Sequence, residues 1–193
     1  MPNAILDPTG TATTSSDSTS SDSTSRAKRP APRAPRPASL NGKRVGLLIN
    51  TKLNARPFLE EVGRLLTEQY GVTVTERTKQ NFAVPETGDV IKEMAAESDV
   101  IVTGVGDCGS CSAAAAADGV VLEAAGVPVA VIVTDSFRAT ADAMAALRGA
   151  PGYRYATTAH PVAVLAADQV KARAAQVLDD VVALLTEKGN AGE

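Results

Sequence analysis

Cysteine is scarce in this 193-residue chain, with two residues in all, and histidine occurs once, at His160. Two cysteines separated by Gly-Ser cannot build the multi-bridge framework that staples small secreted domains. A structural zinc site usually recruits two such pairs, so a single pair makes a bound metal unexpected. Apolar runs are short as well. Nothing near the start resembles a secretory signal, and no run approaches the roughly twenty residues of a membrane span. These absences predict a soluble cytoplasmic protein with no membrane partner. The G-x-G-x-x-G and Walker-lysine fingerprints are also missing, which removes the usual sequence evidence for a bound nucleotide.

What is present divides near residue 40. Residues 1–39 are Ser, Thr, Asp, Pro, Ala and Arg almost throughout, with SSDST repeated at 15–19 and 20–24. So little apolar surface cannot offset the entropy of ordering the chain. The stretch RAKRPAPRAPRP (26–37) is basic and proline-rich, so the whole segment is expected to be a solvated, extended tail. It has no aromatic residue to stack on bases, and no folded nucleic-acid module follows it, so nucleic acid is not an expected partner. Residues 40–193 carry 14 basic and 19 acidic side chains. They form a mildly acidic stretch of a length suited to one α/β domain.

Within that domain, short β-rich runs alternate with helical periods. Strands are predicted at 43–49, 72–78, 99–105, 127–133 and 153–158. Helices are predicted at 58–71, 84–98, 110–126, 136–149 and 166–189. Continuous apolar strands such as VPVAVIV imply a mostly parallel sheet with both faces covered. The expected architecture is a three-layer αβα open sheet of about five strands, flavodoxin-like or Rossmann-like, with strand order 2-1-3-4-5. Sites in such sheets form beyond the carboxyl ends of the strands, above all where the strand order reverses. That point lies between strands one and three, whose following loops are 50–54 and 104–112. An exposed sheet edge is compatible with a homodimer.

The stretch VTGVGDCGSCSAAAAADG (102–119) holds both cysteines. If the helix starts near Cys108 or Gly109, Cys108 lies at its amino end, where free N–H groups and the helix dipole favour a thiolate. Cys111, three residues on, lies on the same helical face and can resolve an adduct on Cys108. Two other readings compete: small core side chains, or half of a tetrahedral metal set with His160 and Asp107 or Asp135. Gly104 and Gly106 permit tight turning and close approach of a ligand, and Gly109 and Ser110, between the cysteines, are expected to join Gly106 in binding substrate. Asp107 either contributes to the site or caps the following helix. Lys52 offers a cation, and Asn50 and Asn54 offer hydrogen-bond donors, for a substrate carbonyl or carboxylate. Thr134 and Ser136 follow strand four, and His160 follows strand five as a proton-exchanging group.

With these residues in hand, the chain resembles the UGSC family, named for a selenocysteine-Gly-Ser-Cys motif that some members carry with Cys in the first position. The residues that carry the resemblance are GDCGSC (106–111), NTKLNA (50–55), DGVVLEAAGVPVAVIVTDSF (118–137) and AHP (159–161), within a span of roughly 43–187. The region is also distantly similar to the selenocysteine-bearing subunits of glycine and proline reductases, which cleave their substrates reductively. The resemblance implies a strong nucleophile or redox atom at the first position, here Cys108.

The expected function is a thiol-dependent oxidoreductase acting on a small-molecule substrate, with Cys108 attacking, Cys111 resolving and His160 moving a proton. It needs no bound organic cofactor, but it requires an external dithiol, which can be a thiol reductant protein. A cysteine-dependent isomerase or lyase in the style of aspartate racemases is the alternative enzyme class. A redox-sensing partner module is the non-catalytic one.

Overall fold

The computed structural model of the chain describes residues 33–186. It contains five strands, β1 (Arg44–Ile49), β2 (Thr73–Thr78), β3 (Val100–Gly106), β4 (Val129–Thr134) and β5 (Ala156–Thr158). Six helices join and follow them: α1 (Ala55–Tyr70), α2 (Gly88–Glu97), α3 (Gly109–Ala124), α4 (Arg138–Leu147), α5 (Ala167–Gln176) and α6 (Leu178–Leu185). The strands form one sheet in the order β2-β1-β3-β4-β5, and every pair is parallel. The expected three-layer α/β architecture and strand order are therefore those of the molecule.

The period-two geometry of a strand sends successive side chains to opposite faces. In β4, Ala130 and Ile132 enter a core with Phe58, Leu59 and Val62 of α1 and Val181 and Leu185 of α6. Val129, Val131 and Val133 enter the other, with Ile91 and Met94 of α2, Leu122 of α3 and Ala141 of α4. Both faces of the central strands are thus buried, which is why those strands show no polar alternation.

Helix α3 is buried almost all round, and its alanines let it approach the sheet closely. Gly106 is needed for that approach. A Cβ there would lie 2.6 Å from Ser112 Oγ and 2.9 Å from Val133 Cγ1, so a side chain would push the start of α3 off the sheet.

Four expectations need correction. The closing helix is two helices, divided at Val177. The division lets α5 pack on α1 while α6 turns toward β3, β4 and β5. The second helix starts at Gly88 rather than 84, because the backbone before it is held by α3: Glu86 N–H donates to Asp118 Oδ1 (2.6 Å). The last strand is only Ala156–Thr158, since Tyr153 lies instead against Gly119 of α3.

The fourth correction concerns the expected tail. Residues 1–32 lie outside the described residues, but Ala34, Arg36 and Leu40 are buried. Arg36 forms a bidentate pair with Glu123, at 2.5 and 2.7 Å, and Glu123 also accepts from Ala34 N–H (2.7 Å). The composition argument failed here because a basic side chain found a buried acid. Among the described residues, no helix is long and apolar enough to cross a membrane.

Candidate thiol-disulfide site

Cys108 is the N-cap of α3, with extended backbone, and its Sγ accepts from the N–H of Cys111 (3.3 Å). The cysteine thus occupies the place usually taken by Ser or Asp and satisfies one free donor of the first turn. The Cα atoms of Cys108 and Cys111 are 5.4 Å apart and the two sulfurs are in contact at disulfide distance. Their exposures differ. Cys108 is half-buried, whereas Cys111 is fully buried. Ser110 is exposed, with its Oγ 3.6 Å from Cys108 Sγ. Around Gly109 there is open space: a Cβ there would meet nothing within 4 Å.

Asp107 does not cap α3. Its buried carboxylate accepts from the N–H groups of Val162 (3.0 Å) and Ala163 (2.8 Å) and faces His160 Nδ1 at 2.9 Å. It therefore draws the loop after β5 onto the end of β3, a role that no local sequence signal announces. His160 follows Ala159 into a cis His160–Pro161 peptide, and its backbone N–H donates to Asp135 Oδ1 (3.1 Å).

The tautomer of His160 follows from its neighbours. Thr134 Oγ1 donates to the carbonyl of Gly106 (3.1 Å), so its lone pairs face Nδ1 at 3.2 Å. The Asp107 carboxylate is likewise an acceptor. Both assign a proton to Nδ1, so Nε2 carries the lone pair in the neutral ring. The ring packs edge-on against Phe137, with centroids 5.3 Å apart, and its side chain keeps about a third of its surface in solvent.

The two asparagines hydrogen-bond to neighbouring loops. Asn50 Nδ2 donates to the Val105 carbonyl (3.0 Å), and its Oδ1 accepts from Lys52 N–H (2.9 Å). Asn54 adopts the left-handed conformation at φ 66°, which asparagine tolerates better than most residues. Its Nδ2 donates to the carbonyls of Val162, Ala163 and Leu165. Buried loop carbonyls require donors, and the Asn54 amide supplies them here. Ser136 Oγ donates to Asp135 Oδ1 (3.4 Å), the oxygen that also accepts from His160 N–H. Lys52 is half-buried, with its Nζ 4.8 Å from the centroid of Phe82.

Two residues that the sequence reading did not name as functional support this edge from within. Lys79, just after β2, forms a buried ion pair with Asp118 of α3. Burial pushes the Asp118 carboxyl upward, and the Lys79 ammonium opposes that shift. The signal was an acid inside an alanine-rich helix with no polar face, which must find a buried partner. Among the described residues, no group of three His, Cys, Asp or Glu side chains is placed to hold a metal ion.

The crystal structure of an ABC transporter permease from the Pseudomonas fluorescens group is similar at a TM-score of 0.39 and 18% identity. The similarity covers 73% of this chain and 32% of that one, so this chain spans about a third of that protein's length. No curated protein matches. The model of the UGSC family matches residues 4–187, so the matched region reaches well into the N-terminal segment and beyond the motifs that begin at residue 43. On that match, over nearly the whole chain, the protein belongs to the UGSC family.

Proposed function

We propose that this protein is a thiol-dependent oxidoreductase in which Cys108 attacks and Cys111 resolves. The observation that carries the reading is the unequal exposure of two sulfurs already in contact: an incoming molecule reaches Cys108, and only Cys108 reaches Cys111. A thiolate at Cys108 is favoured by the Cys111 N–H that it accepts, by the helix dipole and by Ser110. The selenocysteine that the family resemblance associates with this position fits an attacking atom better than a packing one. His160, with its lone pair on Nε2, takes up or supplies the proton, and Asp107 and Thr134 are positioning residues for its ring. An external dithiol, small or protein-borne, regenerates the pair. A cytoplasmic setting, where thiols are kept reduced, suits that cycle.

The racemase-style isomerase uses two cysteines facing each other across a substrate. Two sulfurs in contact on one helical turn leave no room for one, which speaks for the redox reading. The test is to mix the reduced protein with a limiting organic disulfide and to follow thiol release together with intact mass. Release of two thiols per chain with an internal Cys108–Cys111 disulfide supports the proposal. A stable one-thiol adduct, or no reaction, contradicts it.

A further inference from the structure

One cation in the loop after β1, Lys52, has an aromatic seat and, among the described residues, no counter-ion. No carboxylate among the described residues pairs with Lys52, whose ammonium lies over Phe82. A ring face holds an ammonium in place without neutralising it, so the charge remains available to an anion. The edge is also unusually apolar. Leu53 is 70% exposed, Val84 53% and Val164 77%, and these are three of the four large hydrophobic side chains that the described residues leave to solvent. Scattered singly such residues carry no meaning, but grouped they mark a binding surface.

The loops that carry them are tied together by hydrogen bonds and one ring contact. Leu53 lies between Lys52, which touches Phe82, and Asn54, which binds the 162–165 carbonyls. Asn50 ties the same loop to Val105, three residues before Cys108. The 79–87 loop is clamped to α3, the helix of the cysteines, by Lys79 and Glu86 N–H on Asp118. It also bounds a cleft of about 410 Å³ whose lining includes Val84, Val90, Gln80, Asn81 and the Glu86 carboxylate, a size that suits a small organic group. Lys52 and Phe82 lie outside that lining, so the cleft suits the apolar body and not the anion.

We infer that Lys52 and the 79–87 loop form the specificity subsite of the thiol centre, selecting a disulfide substrate that carries an anionic group on an apolar body. The inference rests on the redox reading above. Lys52 takes the anion, and Phe82, Leu53 and Val84 take the apolar body. The Cys108 thiolate attacks one substrate sulfur and the substrate S–S bond breaks. The first half leaves as a thiolate and is protonated. Cys111, losing its proton, then attacks Cys108 Sγ and releases the second half as a thiol. The substrate gains two electrons and two protons, the protein loses them, and the external dithiol restores them.

The experiment uses the full reduced chain and four probes, each rate divided by the probe's rate with a free thiol. The probes are dithiobis(nitrobenzoate), aromatic and anionic; dithiodipyridine, aromatic and neutral; dithiodipropionate, aliphatic and anionic; and cystamine, cationic. The first should lead the normalised series by about tenfold over cystamine, the scale of one charge-assisted contact. Lys52→Met should lower the anionic-to-neutral ratio by about the same factor, and Phe82→Leu the aromatic-to-aliphatic ratio by a few-fold. Equal normalised rates, or a Lys52→Met variant that slows every probe alike, would overturn the subsite while leaving the redox reading standing. Failure of every probe to oxidise the pair would overturn both.

Discussion

Two ends of one helix use the same device for different purposes. Just before α3, Asp107 gathers the remote 160–163 segment through two backbone N–H groups and an imidazole. In its last turn, Glu123 gathers Ala34, Val129 and Arg36 through two backbone N–H groups and a guanidinium. Both carboxylates are buried. At the amino edge of the sheet the partner is a permanent cation, itself buried, and its other donors go to the carbonyls of Ala34 and Leu184. At the carboxyl edge the partner can change protonation, is partly exposed and keeps one ring nitrogen open. The first arrangement is a lock. The second holds the cysteine edge in shape while leaving one imidazole nitrogen open.

The largest expected effect falls on the lock. Glu123→Gln leaves the Arg36 guanidinium buried without its carboxylate, and breaking a buried pair in this way costs about 3–5 kcal/mol. Urea unfolding should show that loss, while alkylation of Cys108 in the folded fraction stays close to that of the native protein. Asp107→Asn should cost less, about 1–3 kcal/mol for weakened acceptors, yet change the rate and pH profile of Cys108 alkylation. The opposite pattern, with thiol reactivity altered by Glu123→Gln and untouched by Asp107→Asn, would break the comparison.

Gly106→Ala sharpens it further. Overpacking between β3 and the first turn of α3 typically costs about 1–3 kcal/mol, and the displaced N-cap should slow Cys108 alkylation. The smallest effect belongs to the exposed pair at the amino edge. Arg44, through side-chain and backbone hydrogen bonds, holds the Asp99 carboxyl below its ordinary range. Its stabilisation is therefore present above the unfolded carboxylate pKa and lost as pH falls through the lower folded value. Asp99→Asn should be slightly less stable than the native chain at neutral pH. The difference should vanish in acid, because exposed pairs contribute little. A difference that persists in strong acid contradicts this assignment.

The sheet was legible because its signals are local and repeated. Apolar runs such as VPVAVIV mark buried parallel strands, and the alternation with helices leaves few topologies to consider. The start of α3, with Cys108 at its amino end, was legible for the same reason, although the cap was offered to Asp107 and belongs to Cys108. The burial of Arg36 was not, since its partner Glu123 lies 87 residues away and basic, proline-rich composition points toward solvent. The loop-to-loop hydrogen bonds of Asn50, Asn54 and Asp107 at this edge were not legible in the sequence. A polar residue in a loop looks alike whether its partner is a ligand or the backbone of another loop. The support of Lys52 by Phe82 joins two loops through a ring contact, and no spacing rule encodes it.

The most direct test of the thiol mechanism is intact-mass analysis of two variants after exposure to an organic disulfide. With Cys111→Ser, a mixed disulfide should accumulate on Cys108, because the resolving thiol is missing. With Cys108→Ser, the fully buried Cys111 should stay unmodified in the native protein. Adduct on Cys111 in the second variant, or none on Cys108 in the first, would contradict the assignment of attacking and resolving thiols.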